Sequence, residues 1–245
     1  MNRSENSVCP TFAARELYGA EELSRLLRPR SVAIVGASAT PGAFGYRTLQ
    51  NTSFGYTGSA YPINPRHREI LGRACYPTID SLPEVPDCVV LSVPAEQVLP
   101  IVEQCAGLGV GGAVIYSSGF LETGDAERVA KQQRLVEIAR RSGMRILGPS
   151  CIGVMNFVDR VGLSFQPGLN ELPMITGPIG LVVQSGGWVS SSPRGCSAVS
   201  ASATTSHPEI PATSTSVISS ISSSRTRRRG RLHASSRVFR TERAS

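Results

Sequence analysis

The chain has 245 residues, 40% of them hydrophobic and 18% charged, a balance that suits one large or two small globular domains. Its net charge of +7 is local: nine arginines and two acidic residues fall in Ser191–Ser245, and the preceding residues are neutral in sum. The basic character therefore belongs to the tail and gives no reason to expect a nucleic-acid-binding domain before it.

Residues 1–12 are polar and predicted to be disordered, with no apolar core of a signal peptide. A short amphipathic helix follows, with Leu17, Leu23, Leu26 and Leu27 as its apolar positions, and it stops at Arg28-Pro29 because proline disfavours helical geometry before it. Ser31-Val32-Ala33-Ile34-Val35 is then an apolar run ending in Gly36, the pattern of a strand covered on both faces. Further strands are predicted at Ser59–Ile63, Cys88–Val93, Gly112–Tyr116 and Arg145–Leu147, with helices between them at Phe44–Thr52, Glu96–Leu108 and Ala126–Ser142. Strand and helix alternating at this spacing predict an α/β fold with a Rossmann-like, doubly wound parallel sheet over residues 13–156. Residues 157–187 read as a linker and the start of a second α/β domain, opened by a strand at Ile179–Val183. Without companion strands that segment is expected to be loosely ordered or to pack opportunistically on the first domain.

From residue 188 the texture changes to Ser, Thr, Arg, Ala and Pro, and a disordered, low-complexity tail is predicted. A basic, Ser-rich tail can also bind a polyanion, but Phe239 is its lone aromatic residue after Trp188, so nucleic acid is not expected as a partner. The cysteines at 9, 75, 88, 105, 151 and 196 form no C-x-x-C pair and no metal is expected; their scatter suits reduced thiols in a cytoplasmic protein. No apolar run is long enough to span a membrane.

Candidate chemistry lies where predicted strands end. The first strand runs into Gly36-Ala37-Ser38-Ala39-Thr40-Pro41-Gly42-Ala43-Phe44-Gly45. Such a turn lets backbone N–H groups approach a phosphate at a helix N-terminus, although many tight strand–helix turns bind nothing. The second strand ends in Asn64-Pro65-Arg66-His67-Arg68, without the acid that grips the ribose diol of NAD. Arginine there suits a ribose phosphate, as in CoA or NADP, or else a solvated basic loop. Val93-Pro94-Ala95 and Tyr116-Ser117-Ser118-Gly119 end two more strands and leave room for a flat base or a flexible arm. His67 reads as a bystander, as a lone loop histidine more often is, and Cys151 as a packed thiol, since no His lies near it in a recognisable pattern; no catalytic residue is assigned.

The segments 31–38, 61–65, 70–77, 92–95, 117–120, 143–156 and Gln184-Ser185-Gly186-Gly187 occur in an order that resembles the CoA-binding and succinyl-CoA-ligase-like part of NDP-forming acyl-CoA synthetases. The resemblance covers about Leu23 to Gly187, with Ser150 where the family usually has Asn. It implies coenzyme A lying over Ser38–Pro41, Arg66, Val93–Pro94 and Tyr116–Ser118, and an anion site at Ser185, Gly186 and Gly187. It also implies a small carboxylic acid or its acyl-CoA as co-substrate, an acyl phosphate, a phosphohistidine in the second domain, and an ATP-grasp domain or subunit. Residues matching the histidine loop and the ATP-grasp part are not found in this chain. Reading Gly187–Ser190, Pro208–Ser216 and Gly230–Arg240 from each third codon base, with permitted wobble, gives segments resembling the family in order. A shift of reading frame near Gly187–Trp188 is therefore expected, leaving a catalytically incomplete CoA-binding part. The alternatives are a stand-alone CoA- or nucleotide-binding regulatory module and, less favoured because no acid–base set accompanies the fold, an NADP-linked oxidoreductase.

Overall fold

A computed structural model describes residues 18–53, 55–169, 180–183 and 197–200 of the chain. The predicted residues 1–12, Leu17, Ser185, Gly186 and Gly187 lie outside the described residues.

Five parallel strands form the central sheet in the order β2-β1-β5-β6-β7: β1 (Ser31–Val35), β2 (Ser59–Ile63), β5 (Cys88–Leu91), β6 (Gly112–Ile115) and β7 (Arg145–Leu147). All residues of β1, β5 and β6 are buried, as expected of strands covered on both faces. Successive side chains point to opposite sides. Val32 and Ile34 join Leu26, Leu27 and Leu49 in one core layer, whereas Ala33 and Val35 join Val98, Val102 and Ile138 in the other. Full burial of each such Val, Ile or Leu contributes roughly 1.5–3 kcal/mol, so the two layers together hold the sheet between its helices.

The helices are α1 (Ser24–Leu27), α2 (Phe44–Thr52), α3 (Ala95–Gly107) and α4 (Ala126–Ser142). The last is bounded by local chemistry at both ends. The Asp125 side chain accepts the Arg128 N–H, and Gly143 ends the helix in the left-handed conformation. The α1 segment is tied to the base of the sheet through Asp87, which accepts Arg25 Nε at 2.9 Å and the Arg30 backbone N–H at 2.9 Å.

After β1 the chain steps to β2 on one side, and after β2 it crosses back to β5 on the other. That crossing carries a small antiparallel hairpin, β3 (Glu69–Ile70) and β4 (Arg73–Ala74). The reversal puts a crevice at the carboxyl ends of β1 and β5, the place where open α/β sheets bind ligands.

A second hairpin, β8 (Gly153–Asn156) and β9 (Val161–Ser164), spans residue 156, where the sequence reading ends the first domain. Neither strand is predicted from the sequence. The Asn156 side chain sets their turn, with its Oδ1 accepting the N–H groups of Val158 and Asp159. The hairpin packs on α2, whose Asn51 donates its side-chain amide to the carbonyls of Ser164 and Gln166. Beyond it, β10 (Gly180–Val183) pairs in parallel with β11 (Ser197–Ser200), and β11 meets β8 antiparallel at Val199 and Val154. The segment expected to lack companions is thus paired on one edge, by backbone from the Ser- and Arg-rich tail.

Candidate functional site

Four strand ends converge on the crevice, and backbone geometry fixes each. At the end of β1, Gly36 has φ +81°, and a Cβ on it would stand 2.2 Å from the Ser92 carbonyl oxygen. Only glycine allows the two chains to pass this closely. Gly45, in the first turn of α2, meets the same loop from behind: its Cβ would fall 2.2 Å from the Gly36 carbonyl oxygen. The helix start is thereby pressed against the end of the strand.

The turn between them is held by its own polar groups. Ser38 Oγ accepts the Thr40 N–H at 3.0 Å, and the Thr40 carbonyl accepts the Ala43 N–H at 3.2 Å. The Ser38 hydroxyl therefore shapes the turn. Ala39, Thr40, Pro41 and Gly42 are exposed along its rim. Ala43 caps α2 without any side-chain hydrogen bond, and the first turn of α2 contains no acid. The leading N–H groups of this helix consequently point toward the rim with the positive end of the helix dipole behind them.

At the end of β2, Asn64 braces both neighbouring loops. Its Nδ2 donates to the Ala37 carbonyl at 2.7 Å, and its Oδ1 accepts the Arg66 N–H at 2.9 Å. Its own N–H goes to Tyr76. Pro65 and Arg66 are exposed, and among the described residues no carboxylate pairs with the Arg66 guanidinium.

At the ends of β5 and β6, the Ser117 hydroxyl donates to the Val93 carbonyl and ties the two loops together. Pro94 is exposed and begins α3, with its carbonyl accepting the Gln97 N–H. Ser118 is exposed as well. Tyr116 behaves differently. Its ring is buried, its hydroxyl bonds Thr48 at 3.0 Å, and it packs edge-on against Phe165. Burial pushes its phenol far up, so it stays neutral. Of the residues 116–118, Tyr116 is turned inward, Ser117 is half-buried with its hydroxyl on Val93, and Ser118 is exposed.

Glu122 and the loop after β7 meet beside these serines, with the Ser150 N–H bonded to the Ser117 carbonyl and its hydroxyl to Glu122. Burial raises the Glu122 carboxyl, but N–H groups of Gly119 and Phe120 and the Ser150 hydroxyl outweigh this and hold it below the ordinary glutamate range. Sequence reasoning missed this carboxylate. It also missed Arg47, whose guanidinium reaches back along α2 to the bare face of Gly42. The signal was present as a basic residue one turn into a helix whose first turn has no acid.

Among the described residues no helix is long and apolar enough to cross a membrane, and no three His, Cys, Asp or Glu side chains gather as metal ligands would. Cys88 and Cys105 are buried free thiols, and burial pushes the Cys105 thiol up to about 12.

Comparisons with known proteins identify the family of this domain. Residues 30–156 match the CoA binding domain family. The chain is 42% identical over 171 residues to a trans-feruloyl-CoA synthase from an unknown prokaryotic organism, covering 69% of this chain and 24% of that protein. It is 39% identical over 189 residues to the alpha subunit of an ADP-forming acetate–CoA ligase of Pyrococcus furiosus, covering 72% of this chain and 40% of that subunit. A solved acetyl-coenzyme A synthetase of Candidatus Korarchaeum cryptofilum superposes with a TM-score of 0.64 at 35% identity, over 73% of this chain and 39% of that one. The chain thus spans well under half the length of these relatives. Fold and sequence converge on one conclusion: this chain belongs to the CoA binding domain family.

Proposed function

We propose that the crevice at the ends of β1, β2, β5 and β6 holds coenzyme A. The observation that carries this reading is the uncapped, acid-free start of α2, set beside an exposed Arg66 at the end of β2 that pairs with no carboxylate among the described residues. The diphosphate lies over Ser38–Gly42, where leading helix N–H groups stabilise it. The ribose phosphate lies toward Arg66, whose planar fork suits a phosphate. The pantetheine arm runs over Val93 and Pro94 toward Ser117 and Ser118, which supply small, partly apolar surface.

In this reading the chain is the CoA-binding part of an NDP-forming acyl-CoA synthetase, which interconverts an acid, CoA and NTP with acyl-CoA, NDP and phosphate. The thiol would be presented to an acyl phosphate, and a phosphohistidine and an ATP-grasp nucleotide site would complete the cycle. Those steps belong to the parts of the relatives that this chain does not span. Because one relative is an alpha subunit, a partner subunit carrying the nucleotide site is the arrangement proposed for this chain too.

Amide hydrogen exchange of the full chain with and without CoA tests the placement. Protection is expected at residues 38–46, 64–68 and 117–119. Protection confined to other segments would remove the crevice as the site.

A further inference from the structure

The start of α2 carries a cation where helix electrostatics disfavour one. Arg47 lies one turn into the helix, with its N–H bonded to the Ala43 carbonyl at 2.9 Å. Side chains on a helix lean toward its N-terminus, and this lean brings the guanidinium over the glycine turn. A Cβ built on Gly42 would stand 3.8 Å from Arg47 Nη2, so the guanidinium lies across the face that glycine leaves bare. A positive charge beside the positive end of a helix dipole is unfavourable unless an anion sits between them. Among the described residues no carboxylate does so: the first turn has no acid, and Arg47 enters no ion pair. Local rules broken without local compensation mark positions that a ligand completes.

We propose that Arg47 binds the diphosphate of the bound nucleotide, while Arg66 takes the ribose phosphate, so that two separate cations read two separate phosphate groups. This deepens the CoA reading of the crevice and rests on it. The two arginines lie on different elements, α2 and the loop after β2, and neither enters an ion pair among the described residues. Arg47 binds by adding a charge-assisted hydrogen bond to the helix N–H groups already aimed at the turn.

The test is calorimetric titration of the full chain and of Arg47→Ala, Arg47→Lys and Arg66→Ala with CoA and with 3′-dephospho-CoA. Arg47→Ala is expected to weaken both ligands by the same factor, about tenfold for one lost charged hydrogen bond. Arg47→Lys should recover part of that loss, since it keeps the charge without the fork. Arg66→Ala should weaken CoA and leave dephospho-CoA nearly unchanged. Thermal melts of each variant accompany the titrations, and Arg47→Gln, which keeps the side-chain stem, replaces Arg47→Ala if the latter does not fold. Wild-type affinity for CoA in folded Arg47→Ala would overturn the inference alone. So would a loss confined to CoA, which would place Arg47 on the ribose phosphate. Absence of CoA binding by the unaltered, folded chain would instead overturn the reading of the crevice, and this inference with it.

Discussion

Gly36 and Ser92 pass each other so closely that one added methyl group on Gly36 would stand 2.2 Å from the Ser92 carbonyl oxygen. Both residues leave adjacent parallel strands, and the Ser92 N–H donates to the Val35 carbonyl at 2.9 Å. The contact therefore closes the sheet at the point where the crevice opens. Gly36→Ala must separate these strands and also hold a positive φ. It is predicted to lower stability by about 3 kcal/mol, the scale of overpacking plus backbone strain, and to weaken CoA binding. Denaturant unfolding measures the first effect and titration the second. A folded variant of unchanged stability would show that the strand ends are not packed as described.

Asn64 joins two loops through one side chain, with the Ala37 carbonyl and the Arg66 N–H as partners. Asn64→Ala leaves both groups without it and is predicted to lower stability by about 1–2 kcal/mol. It should weaken CoA more than that loss suggests, because the turn at 37–40 and the Arg66 loop then move independently. Asn64→Asp keeps the acceptor for Arg66 but sets a carboxylate oxygen against the Ala37 carbonyl and an anion beside the phosphates, so its affinity should fall at least as far as that of Asn64→Ala.

Asp87 governs the acid limit of the fold. Burial pushes its carboxyl up, but the Arg30 N–H and the Arg25 and Arg30 guanidinium groups outweigh this and leave it below the ordinary aspartate range. With the folded value depressed, the unfolded chain takes up its proton first as pH falls. The stabilisation is thus complete above the unfolded value and is lost as pH drops through the folded one. Asp87→Asn is predicted to lower stability at neutral pH by about 2 kcal/mol and to flatten the stability profile below about pH 4. Parallel profiles for the two proteins would contradict this assignment.

Ser150 stands at φ +56°, in the left-handed region that asparagine tolerates better than most residues. Its N–H donates to the Ser117 carbonyl, and its hydroxyl donates to Glu122. Ser150→Asn is predicted to raise stability by about 0.5 kcal/mol by relieving part of that backbone cost. Ser150→Val should lower it by at least about 1 kcal/mol. Melting temperatures of the two variants decide the point, since the changes have opposite signs.

Much of the central sheet was legible because burial on both faces writes itself as unbroken apolar runs. Ser31–Val35, Ser59–Ile63, Phe44–Thr52 and Ala126–Ser142 were read with the bounds they have in the structure. The strands at Cys88 and Gly112 were read one or two residues too long. Ser92, Val93 and Tyr116 are apolar or strand-like residues that have already left the sheet to build the crevice, and composition does not distinguish the two roles. The hairpin of β8 and β9 was illegible for a different reason. Its turn is made by the Asn156 side chain and a left-handed Arg160, with no Gly or Pro to announce it. In the site, the loops were readable from strand ends, whereas the directions of side chains were not. Tyr116 turns inward because Thr48 and Phe165, distant in sequence, offer it partners. Arg47 reaches Gly42 only because helix geometry folds it back.

The most direct test of the central claim is calorimetric titration of the folded chain with CoA, with NADP as the control. Both ligands carry a diphosphate and a phosphorylated ribose, but only CoA has a pantetheine arm to lay over Val93, Pro94, Ser117 and Ser118. The account predicts saturable one-to-one binding of CoA, with NADP at least about tenfold weaker, a difference of 1.4 kcal/mol. Equal affinity for the two, or no heat with CoA from a chain shown to be folded, would contradict it.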